Sequence, residues 1–304
     1  MRALITGANG QLGHDMADEL MARGHEVYAS DITSEYSGMV PISYNEYIPL
    51  DITDSDAVMR AISKIRPDAV IHAAAWTAVD AAEEEENRSK VHRINAEGTL
   101  NIARACRRVD AKMLYLSTDY VFPGTGTEPW EADSDEYSPI NYYGVTKLEG
   151  EEAVRSTLES YFIVRIAWVF GINGKNFVKT MLRLSETHDE LRVVNDQIGT
   201  PTYTYDLSKL LSDMIAGNRY GTYHATNEGG YISWAEFAEE IMRAAGRSTR
   251  IIPVTSAEYG ASKAARPYNS RLDKSKLAEN GFTLLPPWKD ALRRYLKEIE
   301  RWDR

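Results

Sequence analysis

Arg2-Ala3-Leu4-Ile5-Thr6-Gly7-Ala8-Asn9-Gly10-Gln11-Leu12-Gly13 is the stretch that decides the fold. A short apolar strand runs directly into glycines spaced Gly-x-x-Gly-x-x-Gly, and helical spacing follows through Leu12, Met16, Leu20 and Met21. The three glycines of such a unit serve different ends. Gly7 permits the tight turn, Gly10 lets the backbone approach a pyrophosphate, and Gly13 lets the helix close on the strand. The helix start, at Gln11 and Leu12, turns N–H donors and a positive dipole end towards the same anion. Asp31 ends the next strand, where a carboxylate can accept both hydroxyls of a ribose. Any strand-to-helix turn favours glycine, but the position at the first strand, together with Asp31, makes this one a dinucleotide cradle.

Outward from that turn, strands and helices alternate. Residues 26–31, 47–50, 69–74, 112–117 and 161–168 read as strands, and 11–23, 55–65 and 143–158 as helices; residues 81–107 carry one long helical pattern interrupted by polar residues. This rhythm specifies an α/β fold of Rossmann type, a doubly wound parallel sheet with helices on both faces. It loosens near residue 170, where helices at 177–185, 206–216, 234–245 and 289–301 alternate with short strands such as 192–194 and 222–224. We therefore expect a dinucleotide-binding domain over residues 1–170 and a smaller, mainly substrate-binding lobe over 171–304. No Gly/Ser/Pro linker separates them, so the boundary is soft and some chain is expected to cross it.

Composition excludes several classes. Apolar residues make up 43% and charged residues 26%, the balance of an ordinary globular protein rather than a disordered or fibrous one. The longest apolar runs, 69–76 and 166–171, are too short to span a bilayer, and the first strand opens so early that no signal peptide is expected. A net charge of -10, without a dense Lys/Arg run, argues against nucleic acid and anionic membrane as partners. The single cysteine, Cys106, permits no internal disulfide and lies in an apolar helical pattern, which points to a buried thiol and a cytoplasmic setting.

Tyr143-Gly144-Val145-Thr146-Lys147 places a phenol and an ammonium on one helical face. A free phenol, with a pKa of about 10, is a poor proton donor at neutral pH, and lowering it by ~3 units requires roughly 4 kcal/mol, which a close lysine in a dry cleft can supply. Ser117-Thr118-Asp119-Tyr120 follows an apolar strand at the sheet edge where such folds bind ligands. A hydroxyl there can hydrogen-bond a carbonyl oxygen as negative charge develops on it.

Taken in order, the glycine triplet, the strand-end Thr118 and the Tyr143/Lys147 pair resemble the extended short-chain dehydrogenase/reductases. Residues 73–83, 117–124, 165–171, 194–197 and 266–272 are similar, more narrowly, to the dTDP-4-dehydrorhamnose reductase family, nearly end to end. The resemblance implies an NADPH- or NADH-dependent reduction of the C4 keto group of a dTDP-sugar. Tyr143 would protonate the emerging alkoxide, Lys147 would tune it and bind the nicotinamide ribose, and Thr118 would orient the carbonyl. Asp119 and Trp168 would contact the sugar. Gly10, Gln11 and Leu12 would contact the pyrophosphate, Asp31 the adenosine ribose, Asp51 and Ile52 the adenine, and Ala73, Ala74 and Ala75 the nicotinamide side. Arg266, helped by Lys263, is the expected anchor for the substrate diphosphate. Some relatives hold Mg²⁺ at a dimer contact; Asp15 falls where such a ligand could lie, but reads as a solvent-facing helix carboxylate. No metal is predicted, and a homodimer is compatible with the pattern.

Other features are weaker. The six histidines show no metal-ligand spacing, and His72 reads as a structural residue at a strand end. Asn195-Asp196-Gln197 reads as a loop-shaping segment. Two rival functions stay open at this point. One is an extended short-chain epimerase or dehydratase, against which stands Tyr120, where the dehydratases have glutamate. The other is a non-catalytic regulatory subunit like the β subunit of methionine adenosyltransferase.

Overall fold

The computed structural model describes residues 1–260 and 262–302; residues 303 and 304, which close the expected second lobe, lie outside the described residues. The glycine turn sits between strand β1 (Arg2–Thr6) and helix α1 (Gln11–Ala22). From there the chain builds β2 (Glu26–Asp31), β3 (Glu46–Pro49), α2 (Ser55–Ile65), β4 (Ala69–His72), α3 (Val79–Ala82), α4 (Glu85–His92), α5 (Gly98–Val109), β5 (Lys112–Thr118), α6 (Tyr142–Thr157) and β6 (Tyr161–Ile166). With the later strand Gly221–His224 these form a seven-stranded sheet ordered (Gly221–His224)-β6-β5-β4-β1-β2-β3. Every pairing in it is parallel.

The chain starts in the middle of the sheet, winds out to β3, then crosses back to β4 on the other side of β1. That reversal opens a crevice beyond the carboxyl ends of β1 and β4, the place where such sheets bind ligands. Covered on both faces, the central strands are largely apolar; all four residues of β4 are buried. Leu20 of α1, with Leu207 and Leu211 of the helix Thr204–Ala216, covers one face. Val58 and Ile62 of α2, with Ile102 and the buried Cys106 of α5, cover the other. Burial pushes the Cys106 thiol pKa up, which leaves it a packing group. A separate cluster around Phe170, Val178, Phe237 and Tyr295 forms a second core, drawn almost wholly from residues 170 onward.

Three local expectations are corrected. The strand at 222–224, expected in the second lobe, is the outermost strand of the main sheet, and the helix Thr204–Ala216 packs beside α1. The long helix at 81–107 is broken into α3, α4 and α5, the last two joined by a π-helical turn at Arg93–Glu97. That wider turn brings Asn95 inward, where its side chain accepts from the Trp76 amide at 2.8 Å and donates to Thr146 Oγ1 of α6 at 3.0 Å. Asp15 does not face solvent: it is 6% exposed and accepts from or shares a proton with His14 Nδ1 at 2.8 Å, because the second half of the chain covers this side of α1.

Candidate active site

The crevice is a cavity of about 750 Å³, within the range of small-molecule and cofactor sites. One wall is the glycine turn. Gly7 has φ +77°, and a Cβ there would stand 2.6 Å from the Ala74 nitrogen. A Cβ at Gly13 would stand 2.1 Å from the Gly7 carbonyl oxygen. Both are closed to side chains by the approach of β4 and α1, whereas Gly10 meets only its own turn, at 3.2 Å. A dinucleotide diphosphate thus meets bare backbone and the start of a helix without a carboxylate in its first turn. These residues fit a dinucleotide.

Asp31 reaches the rim at the carboxyl end of β2 and lines the cavity. Its oxygens accept from the backbone N–H of Asn9 at 3.0 Å and of Ile32 at 2.8 Å, so the carboxylate also braces the glycine turn. Asp51, Ile52, Ala73, Ala74 and Ala75 continue this wall.

The opposite wall comes from β5 and α6. Asn141 caps α6 by accepting the Gly144 N–H at 2.8 Å, which sets the phase of the helix and aims Tyr143 and Lys147 into the cavity. Thr118 ends β5; its hydroxyl donates to Asp119 Oδ1 at 2.9 Å and accepts from the Tyr120 N–H at 3.2 Å. Burial raises the Asp119 carboxyl to about 6. Tyr120 meets the Tyr143 ring edge-on, with centroids 5.6 Å apart.

Tyr143 and Lys147 share the wall, but not in the way the helical spacing suggests. Burial, reinforced by Asp119, raises the Tyr143 phenol above its ordinary value, and only the Thr118 hydroxyl opposes the rise. Lys147 is turned onto the Leu116 carbonyl at 2.6 Å, its ammonium 4.1 Å from the centroid of the Tyr115 ring. Burial pulls that ammonium down to about 7, against the pull of Glu151. Glu151 lies one turn further along α6 and is fully buried with Arg165 of β6 at 2.8 Å. It also accepts from Ser117 Oγ at 2.5 Å, which braces the strand end that carries Thr118.

Trp168 lines the cavity beyond β6 with φ +51°, a left-handed conformation that costs a bulky residue about 1–3 kcal/mol. Its ring is held by stacking on Trp234, centroids 3.8 Å apart. The cavity gathers every residue singled out from the sequence as catalytic, cofactor-binding or substrate-binding except Arg266 and its helper Lys263. The Arg266 guanidinium is engaged instead by Asp80, at 3.1 and 2.9 Å, and Lys263 by Glu84 at 2.7 Å. His72 is buried between Thr6 Oγ1 at 2.7 Å and Thr99 Oγ1 at 3.1 Å, and burial lowers it to about 3, leaving it neutral. Asp196 and Gln197 tie their loop to Ser256. Sequence reading missed Tyr120, Lys175 and Thr77 on the cavity wall; the Tyr120 position was legible from its place beside Thr118, the other two carry no local signal.

A doubly wound sheet with a glycine cradle at β1 and a Thr, Tyr and Lys wall at β5 and α6 defines an extended short-chain dehydrogenase/reductase. The chain belongs to the RmlD substrate binding domain family, which matches residues 1–301. It is 40% identical to the spore coat polysaccharide biosynthesis protein SpsK of Bacillus subtilis, over 98% of this chain and 97% of that one. It is 41% identical to a dTDP-4-dehydrorhamnose reductase of Streptomyces griseus, over 96% and 91%. Among solved structures, the dTDP-4-dehydrorhamnose reductase of Bacillus anthracis in complex with NADP superposes with a TM-score of 0.89 at 40% identity, covering 98% of this chain and 99% of that one. Among the described residues no helix is long and apolar enough to cross a membrane.

Proposed function

We infer that the protein is a reductase that converts dTDP-4-dehydro-L-rhamnose to dTDP-L-rhamnose with NADH or NADPH. The observation that carries this reading is the convergence of Thr118, Tyr143 and Lys147 on one wall of a cavity whose other wall is the glycine cradle. When bound, the reduced nicotinamide supplies the hydride. The Tyr143 phenol donates its proton to the C4 oxygen: burial makes it a weaker acid but keeps it protonated, and the alkoxide that develops as hydride arrives is a stronger base than a phenolate and takes the proton. The Thr118 hydroxyl hydrogen-bonds the same oxygen by turning its proton away from Asp119 Oδ1. An ammonium has three N–H donors, and Leu116 takes one from Lys147, leaving two for the ribose diol. Trp168 gives the sugar a flat apolar face, and Asp119 accepts a sugar hydroxyl. Arg266 reaches the substrate diphosphate only by leaving Asp80. Tyr120 in place of a carboxylic acid beside Asp119 argues against elimination chemistry. The proposal includes a cytoplasmic site of action and, as a packing of two such chains, a homodimer.

The test is loss of reduced-nicotinamide absorbance with dTDP-4-dehydro-L-rhamnose, for the unmodified protein and Tyr143→Phe. Turnover is expected in the first and a fall of roughly 10²–10⁴-fold in the second, with cofactor affinity nearly unchanged. No turnover with either cofactor, or full turnover in Tyr143→Phe, overturns the assignment.

A further inference from the structure

A dinucleotide brings a diphosphate, with two negative charges, into a protein whose net charge is -10. Backbone N–H groups and the α1 dipole, worth about half a positive charge, meet it first. Among the described residues, only two cations line the cavity, Lys147 and Lys175. Lys147 is committed at the far wall to Leu116 and Tyr115, and Arg266 is held outside by Asp80. Lys175 is exposed and makes no ion pair or hydrogen bond with another described residue.

Its position is nevertheless built. Lys175 lies in the loop between the strand Val169–Phe170 and the helix Phe177–Leu184, and that loop is fastened along the glycine turn. The Asn173 amide donates to the Asn9 carbonyl at 2.9 Å and the Gly10 carbonyl at 3.3 Å. The Asn176 amide donates to Gln11 Oε1 at 3.0 Å and to Gly171 at 2.9 Å. Asn173 Oδ1 accepts the Met39 N–H at 2.6 Å, and Lys179 holds the Ile172 and Gly174 carbonyls from the other side. Gly174, with φ +84°, turns the chain over Gln11, whose Cγ would lie 3.4 Å from a Cβ there. The residue that follows is therefore presented at the cavity edge beside Gly10 and Gln11.

We propose that Lys175 is a cofactor-binding residue whose ammonium pairs with the diphosphate of the dinucleotide, completing from the second lobe a cradle the first lobe builds from backbone alone. The inference rests on the dinucleotide reading of the cavity. A single charge-assisted contact at an exposed position is worth about a tenfold change in affinity.

The experiment measures dissociation constants of NADH, NADPH, ADP and adenosine by titration calorimetry, using the full chain and its Lys175→Met and Lys175→Arg variants. Lys175→Met is expected to weaken NADH and NADPH equally, by about tenfold, to weaken ADP, and to leave adenosine unchanged. Lys175→Arg is expected to restore most of the loss, and added salt to narrow the gap between wild type and Lys175→Met. A loss confined to NADPH would assign Lys175 to the ribose 2′-phosphate and overturn the proposal. Unchanged cofactor affinity with a raised KM for the sugar nucleotide would place it on the substrate diphosphate, also overturning it. If the unmodified protein binds neither dinucleotide, the cavity reading itself fails, whereas tight binding indifferent to Lys175 defeats only this inference.

Discussion

Lys147→Met measures how much stability the protein gives up to keep a lysine in a dry wall. Lys147 is 3% exposed, and burial lowers its ammonium from 10.5 to about 7. Because the folded value lies below the unfolded one, the sign is definite. Below pH 7 both states carry the proton, and the folded state bears the whole cost of burying the charge. Between about pH 7 and 10.5 the folded chain releases a proton that the unfolded chain still binds, so stability rises with pH. Above pH 10.5 both states are neutral and the cost is gone. At about 1.36 kcal/mol per pH unit, the gap corresponds to a ceiling of about 5 kcal/mol. Methionine keeps most of the stem packing but loses the bond to Leu116 and the contact with the Tyr115 face, together roughly 1–3 kcal/mol. Urea unfolding without cofactor should therefore show Lys147→Met more stable than wild type at pH 6, by roughly 2–4 kcal/mol. That advantage should shrink steadily as the pH is raised to 9. A difference that stays constant from pH 6 to 9, or a variant less stable at pH 6, would refute the reasoning.

Two further outcomes follow from the geometry. Asp31→Ala removes a carboxylate that repels a 2′-phosphate and also braces Asn9 and Ile32, so kcat/KM should shift towards NADPH by up to about tenfold while affinity for NADH falls; an unchanged ratio would remove Asp31 from cofactor choice. Arg165→Met leaves the buried Glu151 with only the partly exposed Arg155 as its cation and should cost up to about 3–5 kcal/mol in urea unfolding, whereas the double variant Glu151→Leu/Arg165→Met should recover most of it; a double variant as unstable as the single would show that packing, not charge, sets the penalty.

What could be read along the chain was what depends on near neighbours. The glycine triplet, Asp31 and the Tyr143/Lys147 spacing are local, because one turn or one helical face fixes them, and the alternation of strand and helix fixes the layers. Contacts between distant segments left no mark. Arg266 lies 186 residues from Asp80, and nothing in Arg-Pro-Tyr-Asn-Ser announces that its charge is taken. Asp15 has the pattern of a surface carboxylate; its burial comes from elements contributed by the second half of the chain. The break in the helix at 93–97 escaped because a π turn keeps the helical spacing nearly intact while adding one residue. Lys175 was invisible for the same reason as Arg266: its meaning comes from Asn173 and Asn176 docking on a turn more than 160 residues earlier.

The acidic character of the chain bears on this site less than its size suggests. Exposed charges further than about 8 Å apart are largely screened at physiological salt, so a net charge of -10 sets how anions approach rather than whether they bind. Inside the cavity the balance is local. The first turn of α1 carries no acid, the buried Asp15 is bonded to His14, and Asp31 directs its oxygens to two backbone amides. Each of these carboxylates thus has at least one partner before a phosphate arrives. The positive groups that line the cavity, the buried Lys147 on one wall and the exposed Lys175 at the edge, then act over short distances, where the attraction between opposite charges is greatest. An acidic protein can therefore hold polyanionic ligands without a basic surface when the carboxylates nearest the phosphate already have partners of their own.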